Sequence, residues 1–149
     1  MKRIWIRAAS WPADRSALKS VRDEVFVKEQ NVPRASEYDG MDASALHWLA
    51  LTPESTPVGT LRLLPSGQIG RVAVLAAYRG QGVGTRLLKH AIAAAEAHGC
   101  REAWVNAQVR RRKFFAAHGF IVISEVFQDA GISHQRMLRQ LHQHLALAG

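Results

Sequence analysis

Cysteine, long apolar runs and internal repeats are scarce or absent in this chain of 149 residues. The single cysteine, Cys100, has no second thiol with which to form an internal disulfide, so a reducing compartment, the cytoplasm, is expected. No apolar run approaches the roughly 18–20 residues of a membrane span, and no signal-peptide segment is found at the N-terminus. One domain over residues 1–149 is predicted from the length and from the lack of any repeat or linker.

Acidic residues are outnumbered: the chain has 20 Lys and Arg against 12 Asp and Glu, a formal net charge of +8. This charge suits an anionic cofactor, an acidic substrate or nucleic acid, and it is also within the range of an ordinary solvated surface. Charge alone therefore selects no partner. We expect no nucleic acid, no membrane and no metal ion as a partner.

The apolar periodicity predicts an α/β protein, with a mixed sheet and helices on both faces. Strands are predicted at 3–8, 46–51, 58–64, 67–75, 102–106, 120–127 and 132–141. Helices are predicted from an Asp14 cap through Phe26, from about Thr85 to Gly99, and over 109–118, with an irregular polar segment at 31–44. The element order is β-α-(loop)-β-β-β-α-β-α-β-β. A crossover helix joins the strands at 67–75 and 102–106, so these two should be parallel.

Three glycines at alternate positions stand out between an apolar strand and a helix. Gly80, Gly82 and Gly84 leave backbone N–H groups uncovered by side chains, and the first helical turn adds N–H groups without intrahelical partners. The helix macrodipole makes this end partly positive. The segment is therefore predicted to bind a phosphate or a pyrophosphate.

Two common phosphate-binding loops do not match this segment. A Walker A loop needs a lysine and a longer spacing that are missing here. A dinucleotide fingerprint needs Gly-x-Gly-x-x-Gly after the first strand of its unit, whereas this turn reads Gly-x-Gly-x-Gly after a fourth strand. By contrast, the segment 79–84 resembles the Arg/Gln-x-x-Gly-x-Gly/Ala motif of the GNAT acetyltransferase superfamily. The predicted element order is also similar to that of this superfamily over essentially the whole chain.

Further segments resemble one branch of the superfamily, the ElaA-type and YjcF-type proteins. They occur in the expected order at 22–30, 39–42, 106–108 and 131–137, together with a Phe-Phe-x-x-x-Gly-Phe segment at 114–120. The resemblance implies the GNAT acyl-CoA N-acyltransferase fold and acetyl-CoA as the cofactor. It implies an enzyme that moves an acetyl group to a primary amine of a small molecule or peptide by direct attack.

The same resemblance implies which residues bind the cofactor. The amides of the glycine turn would hold the pyrophosphate, the strand before it would bond to the pantetheine arm, and Asn106 would contact that arm and belong to the catalytic residues. Phe115 stands where the family usually has a tyrosine that protonates the leaving thiolate. The cofactor-binding residues implied are Val72, Val74, Arg79, Gln81, Gly82, Val83, Gly84, Thr85, Asn106 and Phe115.

The residue that removes the amine proton is left open by the sequence. Glu29 and His134 are the predicted catalytic candidates, because a carboxylate at a helix end and an imidazole both exchange protons. Candidate bases also include Asp39, Asp42 and His47. Substrate binding is predicted for Glu29, Asp39, Asp42 and Arg71, although the two aspartates also suit turns and Arg71 also suits an ion pair.

Two further expectations concern the surface. The basic run at 110–113 is interpreted as a solvated face, with contact to a CoA phosphate or an acidic acceptor as the alternative. The last strand is a candidate for pairing with a second copy in a homodimer.

Because Phe115 has no proton to give, a CoA-binding sensor with little turnover is the alternative function.

Overall fold

The computed structural model describes residues 3–142. Over these residues the chain forms strands β1 Trp5–Ala9, β2 Leu46–Leu51, β3 Pro57–Leu63, β4 Gln68–Val74, β5 Glu102–Gln108, β6 Ile121–Val122, β7 Phe127–Asp129 and β8 Ile132–Gln140. The α-helices are α1 Trp11–Arg22, α2 Arg34–Glu37, α3 Val83–Ala97 and α4 Arg112–Ala116, and a π-helical segment at Asp23–Glu29 continues α1. No helix within 3–142 has the length and apolarity needed to cross a bilayer.

The strands form one mixed sheet in the order β1-β2-β3-β4-β5-β8-β6, with β7 also paired to β8. All pairs are antiparallel except β4 with β5, which confirms the predicted fold class and the predicted parallel pair. The parallel pairing covers only Gln68 with Trp104 and Ile69 with Val105. Beyond Ile69 the two central strands separate, and a gap opens between their C-terminal halves.

Helices α1 and α3 cover opposite faces of the sheet. Successive side chains of a strand point to opposite sides, so each helix contacts alternate residues of the same strands. The buried face of α3 (Leu87, Leu88, Ala91, Ile92 and Ala95) packs in one core cluster with Trp48, Ala50 and Leu61. On the other face, Trp11 of α1 stacks on His47, with 5.6 Å between the ring centroids. This arrangement leaves the gap between β4 and β5 uncovered at the C-terminal ends of the strands.

The first helix differs from the prediction at both ends. Ser10, not Asp14, is the N-cap, and its hydroxyl accepts a hydrogen bond from the Ala13 N–H at 3.3 Å. Asp14 lies inside the first turn, where its carboxylate accepts from the Ser10 N–H and pairs with Arg7. After residue 22 the chain widens into π-helical turns, although the apolar pattern predicted an unbroken α-helix.

The C-terminal part also differs from the prediction. The predicted strand at 120–127 is divided into β6 and β7, and the predicted helix at 109–118 becomes a 3-10 turn at Val109–Arg111 followed by α4. One edge of β8 pairs with β5 along its length, and the other pairs with β6 and β7. The last strand is therefore interior, and the predicted pairing of this strand with a second copy lacks a free edge.

The contact between α3 and β3 depends on the absence of a side chain at Gly59. A Cβ there would lie 3.0 Å from the Ala50 Cβ and 3.2 Å from the Leu87 Cδ1. Gly59→Ala should therefore overpack the core and lower the free energy of unfolding by about 1–3 kcal/mol. Urea unfolding measures the change. The control Gly70→Ala, whose Cβ meets nothing within 4 Å, should lose much less stability; equal losses would contradict the overpacking.

Candidate functional site

A cavity of about 170 Å³ lies where β4 and β5 separate. Its walls are formed by the two strands, the segment from the π-helix to α2, Arg111 and Phe115 before and within α4, and the β7–β8 turn. Its polar lining residues are Gln30, Ser36, Glu37, Gln68, Arg71, Asn106, Gln108, Arg111, Asp129 and His134, and Phe26, Val72 and Phe115 are among the apolar ones. Two charged groups of each sign therefore face one small space.

A bulge in β4 directs Arg71 towards this cavity. Thr60 pairs with Ala73 and Arg62 with Gly70, so β4 carries one residue more than β3 between these pairs. Arg71 has a φ of +51°, a left-handed conformation that is unfavourable for an arginine. Its guanidinium is held in place because its Nε lies 3.0 Å from the Glu37 Oε2.

A buried ionic network fixes the segment that was predicted to be irregular. Arg22, which is 1% exposed, donates to the Glu37 Oε2 at 2.6 Å and to the Asp42 Oδ1 at 2.7 Å. Arg62 donates to the Asp39 Oδ1 at 2.9 Å and to the Asp42 Oδ1 at 3.2 Å. The network joins α1, α2 and β3, and it determines where residues 37–42 lie beside the cavity.

Asp39 and Asp42, two predicted substrate-binding residues, belong to this network and do not line the cavity. Burial alone would raise the pKa of Asp39, but hydrogen bonds from Arg62 and from the Met41 N–H outweigh it and lower the pKa to about 2. Arg22 and Arg62 likewise lower the pKa of Asp42 against its burial. Both aspartates are therefore ionised ion-pair partners at neutral pH.

His47, a further candidate base, is also outside the cavity. It is 2% exposed, and its Nε2 donates to the Asp42 carbonyl oxygen at 2.9 Å. Burial lowers the pKa of this imidazole. The ring is thus a buried structural group beneath Trp11.

Glu37 lines the cavity and was missed by the sequence analysis. Arg22 and Arg71 both bind its Oε2, whereas its Oε1 accepts no hydrogen bond from residues 3–142. Burial raises the pKa of Glu37. Its two arginine partners do not cancel this effect, because Arg22 also pairs with Asp42 and Arg71 also pairs with Asp39. No local pattern marks this residue, because it ends a helix of four residues within a polar segment.

His134, predicted from the sequence, lines the same cavity from β8. Its Nδ1 lies 2.7 Å from the Ile132 carbonyl oxygen, and a carbonyl can only accept, so Nδ1 carries the hydrogen. In the neutral ring the Nε2 therefore has a free lone pair, and it has no partner among residues 3–142. Phe127 stacks on the ring at 5.8 Å and restricts its orientation.

The glycine turn is open to solvent and rich in free donors. Gly80 and Gly82 have φ values of +73° and +82°, and a Cβ added at either would meet nothing within 4 Å. The first bonded amide of α3 is that of Arg86, which donates to the Gly82 carbonyl oxygen at 3.1 Å. Within the described chain, the N–H groups from 81 to 85 have no acceptor. Such a row of donors fits a pyrophosphate.

Arg79 joins this turn to the end of β4 and to Glu29. The Arg79 Nε donates to the Val74 carbonyl oxygen at 2.8 Å, and its two terminal nitrogens bind both carboxylate oxygens of Glu29 at 2.7 and 2.9 Å. The hydrogen bonds from Arg79 lower the pKa of Glu29. Glu29 therefore lies outside the cavity lining as a bound carboxylate, which argues against its predicted roles as a base and in substrate binding.

Asn106, Val72 and Phe115, three predicted cofactor-binding residues, line the cavity together. The Asn106 Oδ1 accepts from the Arg136 Nε at 3.0 Å, and this leaves its amide N–H groups free. Phe115 is 3% exposed and packs edge-on against Phe120.

The described residues contain no group of three or more His, Cys, Asp or Glu that could hold a metal ion.

Comparison with known families agrees with this geometry. The family model of the GNAT acetyltransferase domain matches residues 13–141. The chain belongs to the GNAT acetyltransferase family. As a GNAT acetyltransferase it is an acyltransferase, and acetyl-CoA is the donor that the family uses.

Two bacterial proteins are similar to this GNAT chain in sequence. YjcF of Bacillus subtilis, an N-acetyltransferase by name, is 39% identical over 123 residues, which cover 80% of the chain and 87% of YjcF. ElaA of Escherichia coli is 33% identical over 136 residues, which cover 85% of the chain and 88% of ElaA. These relatives confirm the ElaA-type and YjcF-type branch.

Solved GNAT structures share the fold. The crystal structure of Escherichia coli ElaA has a TM-score of 0.83 at 29% identity and covers 93% of this chain and all of that one. An acyl-CoA N-acyltransferase from Pseudomonas aeruginosa has a TM-score of 0.82 at 31% identity, over 92% of this chain and 99% of that one.

The pairing of Asp39 with Arg62 predicts a pH dependence of stability. Because the pKa of Asp39 falls from 3.8 to about 2 on folding, its contribution is present above about pH 4 and is lost as the pH falls towards 2. Asp39→Asn should cost about 1–2 kcal/mol near neutral pH, after allowance for solvent screening, and almost nothing near pH 2. Urea unfolding between pH 2 and 7 tests this; a cost independent of pH would contradict it.

Proposed function

We propose that this GNAT enzyme transfers the acetyl group of acetyl-CoA to a primary amine of a small molecule or peptide, by direct attack. The observation that carries the proposal is a small cavity at the separated strands in which two proton acceptors, the His134 Nε2 and the Glu37 Oε1, are free. The open glycine turn follows the end of β4, and its free N–H groups give the donor molecule a separate place to bind.

The donor is held mainly by backbone groups. The N–H groups of Gln81, Gly82, Val83, Gly84 and Thr85 bind its pyrophosphate. Below them, Val72 bonds to the pantetheine arm through the main chain where β5 has separated, and the Asn106 amide donates to the same arm. The Val74 carbonyl already accepts from Arg79, so Arg79 shapes the turn from the side opposite the phosphate.

His134 acts as the base in this scheme. It removes the proton that the amine loses, while the Glu37 Oε1 holds and orients the amine. The amine nitrogen forms a bond to the thioester carbonyl carbon, the carbon–sulfur bond breaks, and the sulfur leaves with the electron pair. Phe115 cannot protonate the leaving thiolate, so that proton comes from solvent; a thiol with a pKa near 8.5 is a good enough leaving group for this.

Cys100 takes no part in the reaction. It lies between α3 and β5, packs against the core and does not line the cavity. A covalent acetyl-cysteine intermediate is therefore not proposed. As the one cysteine of the chain it cannot form an internal disulfide, and this supports a place in the reducing cytoplasm.

Phe115 also supports a second candidate function, a CoA-binding sensor or interaction module with little turnover. Its ring closes one wall of the cavity where the family's usual tyrosine would offer a proton. Thiol release from acetyl-CoA separates the two functions. Release that depends on an added amine supports the transferase, and tight CoA binding without release supports the sensor.

The glycine turn gives a sharp test of donor binding. Gly82→Glu should place a carboxylate in the open space above the turn and abolish acetyl-CoA binding by repulsion of the pyrophosphate. Calorimetric titration measures the affinity. Gly99→Glu is a matched control, because Gly99 has a similar φ of +78°, has open space at its Cβ and lies beyond the other end of α3. Normal affinity in Gly82→Glu would overturn the assignment.

The proposed base predicts a selective loss of turnover. His134→Gln should lower kcat by about 10²-fold or more, because the side-chain amide cannot take the proton, and leave acetyl-CoA affinity unchanged. The rate of thiol release with a panel of amines measures kcat. His98→Gln is the control, since the His98 Nδ1 also bonds to a backbone carbonyl, at 2.9 Å, on the exposed side of α3. A fall of less than threefold in His134→Gln would exclude it as the base.

A further inference from the structure

One residue of the basic run at 110–113 faces the cavity. Arg110, Arg112 and Lys113 are exposed, in agreement with a solvated face. Arg111 is half-buried, and its side chain lines the cavity together with Asn106, Gln108 and His134. The run is therefore not uniform, and a single guanidinium enters the space that the proposed function assigns to the acceptor.

Arg111 also differs from Arg110 and Arg112 in having no hydrogen-bond partner. The Arg110 Nε donates to the Gln108 Oε1 at 3.1 Å, and the Arg112 NH1 donates to the Gln135 Oε1 at 2.8 Å. Arg111 makes neither a hydrogen bond nor an ion pair with any of residues 3–142. A guanidinium has five N–H donors, and those of Arg111 are left to water or to a ligand in the cavity.

The surroundings of Arg111 disfavour its positive charge. Burial, and then repulsion from Arg110 and Arg79, lower the pKa of Arg111. The carboxylate of Glu29 acts in the other direction and raises this pKa, but both of its oxygens are bound to Arg79. Asp129 also lines the cavity, yet it is exposed and forms no ion pair with Arg111. One part of the cavity is therefore an uncompensated cation.

Another part of the same cavity offers a hydrogen-bond acceptor. Glu37 lines the cavity, and its Oε1 has no hydrogen-bond donor among residues 3–142. A free carboxylate oxygen and a free guanidinium in about 170 Å³ match a small molecule that carries both an ammonium and an anionic group. Because a guanidinium presents a planar fork of donors, a carboxylate is the group that it binds in a bidentate manner.

We infer that Arg111 binds a carboxylate of the acceptor, so that the acceptor is an amino acid or a similarly small amino-carboxylate. The inference rests on the proposed function, because it names the class of amine that the same cavity takes. Arg111 is a substrate-binding residue in this scheme. The other anion that could reach it is a phosphate of CoA, and the experiment below separates the two sources.

The test compares α-amino acids with their own carboxamides, which keep the amine and lose the carboxylate. Thiol release from acetyl-CoA gives kcat/KM for each pair, expressed per unprotonated amine because the amide lowers the amine pKa. The wild type should prefer the acids by about tenfold or more. Arg111→Gln should reduce this preference to about one without changing the KM for acetyl-CoA. Lys113→Gln, an exposed control from the same run, should keep the preference.

Two outcomes would overturn the inference. One is a wild type that does not distinguish acids from amides. The other is an Arg111→Gln enzyme that keeps the preference and has a raised KM for acetyl-CoA, which would assign Arg111 to a CoA phosphate. Arg111→Lys adds a check: it keeps the charge without the fork, so it should retain part of the preference.

A binding measurement separates this inference from the proposed function. If no amine releases thiol, the transferase proposal fails, and calorimetric titration of the same acids and amides into the CoA-saturated protein still decides the role of Arg111. Tighter binding of the acids that is lost in Arg111→Gln supports it, and equal binding overturns it. Thermal unfolding should show that Arg111→Gln keeps a Tm close to that of the wild type, since no hydrogen bond or ion pair with residues 3–142 is removed; a large fall in Tm would contradict the free guanidinium.

Discussion

The candidate site depends on one buried ionic cluster, in which Arg22 pairs with both Glu37 and Asp42. The guanidinium is 1% exposed and lies at the end of α1, and the two carboxylates lie in and after α2. Removing one member of such a group leaves an unpaired buried charge, at a cost of about 3–5 kcal/mol. Through Asp42 the cluster extends to Arg62 of β3, and through Glu37 it extends to the bulge of β4. The wall of the cavity that carries Glu37 is therefore fixed to α1.

The strand, glycine turn and helix that the sequence predicted are local in the chain. Alternate glycines, an apolar strand before them and a periodic helix after them all lie within about thirty residues, so their pattern is visible without a structure. The parts that were missed depend on distant pairs. Glu37 contacts Arg22 across 15 residues and Arg71 across 34, and Glu29 contacts Arg79 across 50. No spacing rule reports such pairs, so Glu29 was predicted as a base and Glu37 was not considered.

The two halves of the site are built from different groups. In the proposed scheme the donor half consists of backbone N–H groups around Gly82, and these depend on chain geometry more than on residue identity. The proposed acceptor half consists of the side chains of Glu37, Arg111 and His134, each on a different element. A family resemblance therefore predicts the donor well, because the family shares the turn. The acceptor has to be inferred from the charges of this particular cavity.

Arg71 meets two demands that oppose each other. Its left-handed backbone, with a φ of +51°, favours glycine or asparagine, and an arginine there costs of order 1–3 kcal/mol. Its guanidinium holds Glu37 at the cavity, which neither of those residues could do. A glycine or an asparagine at this position would relieve the backbone and lose the position of Glu37. A thermostable variant of this protein is obtained more safely by changes elsewhere, with residue 71 left unchanged.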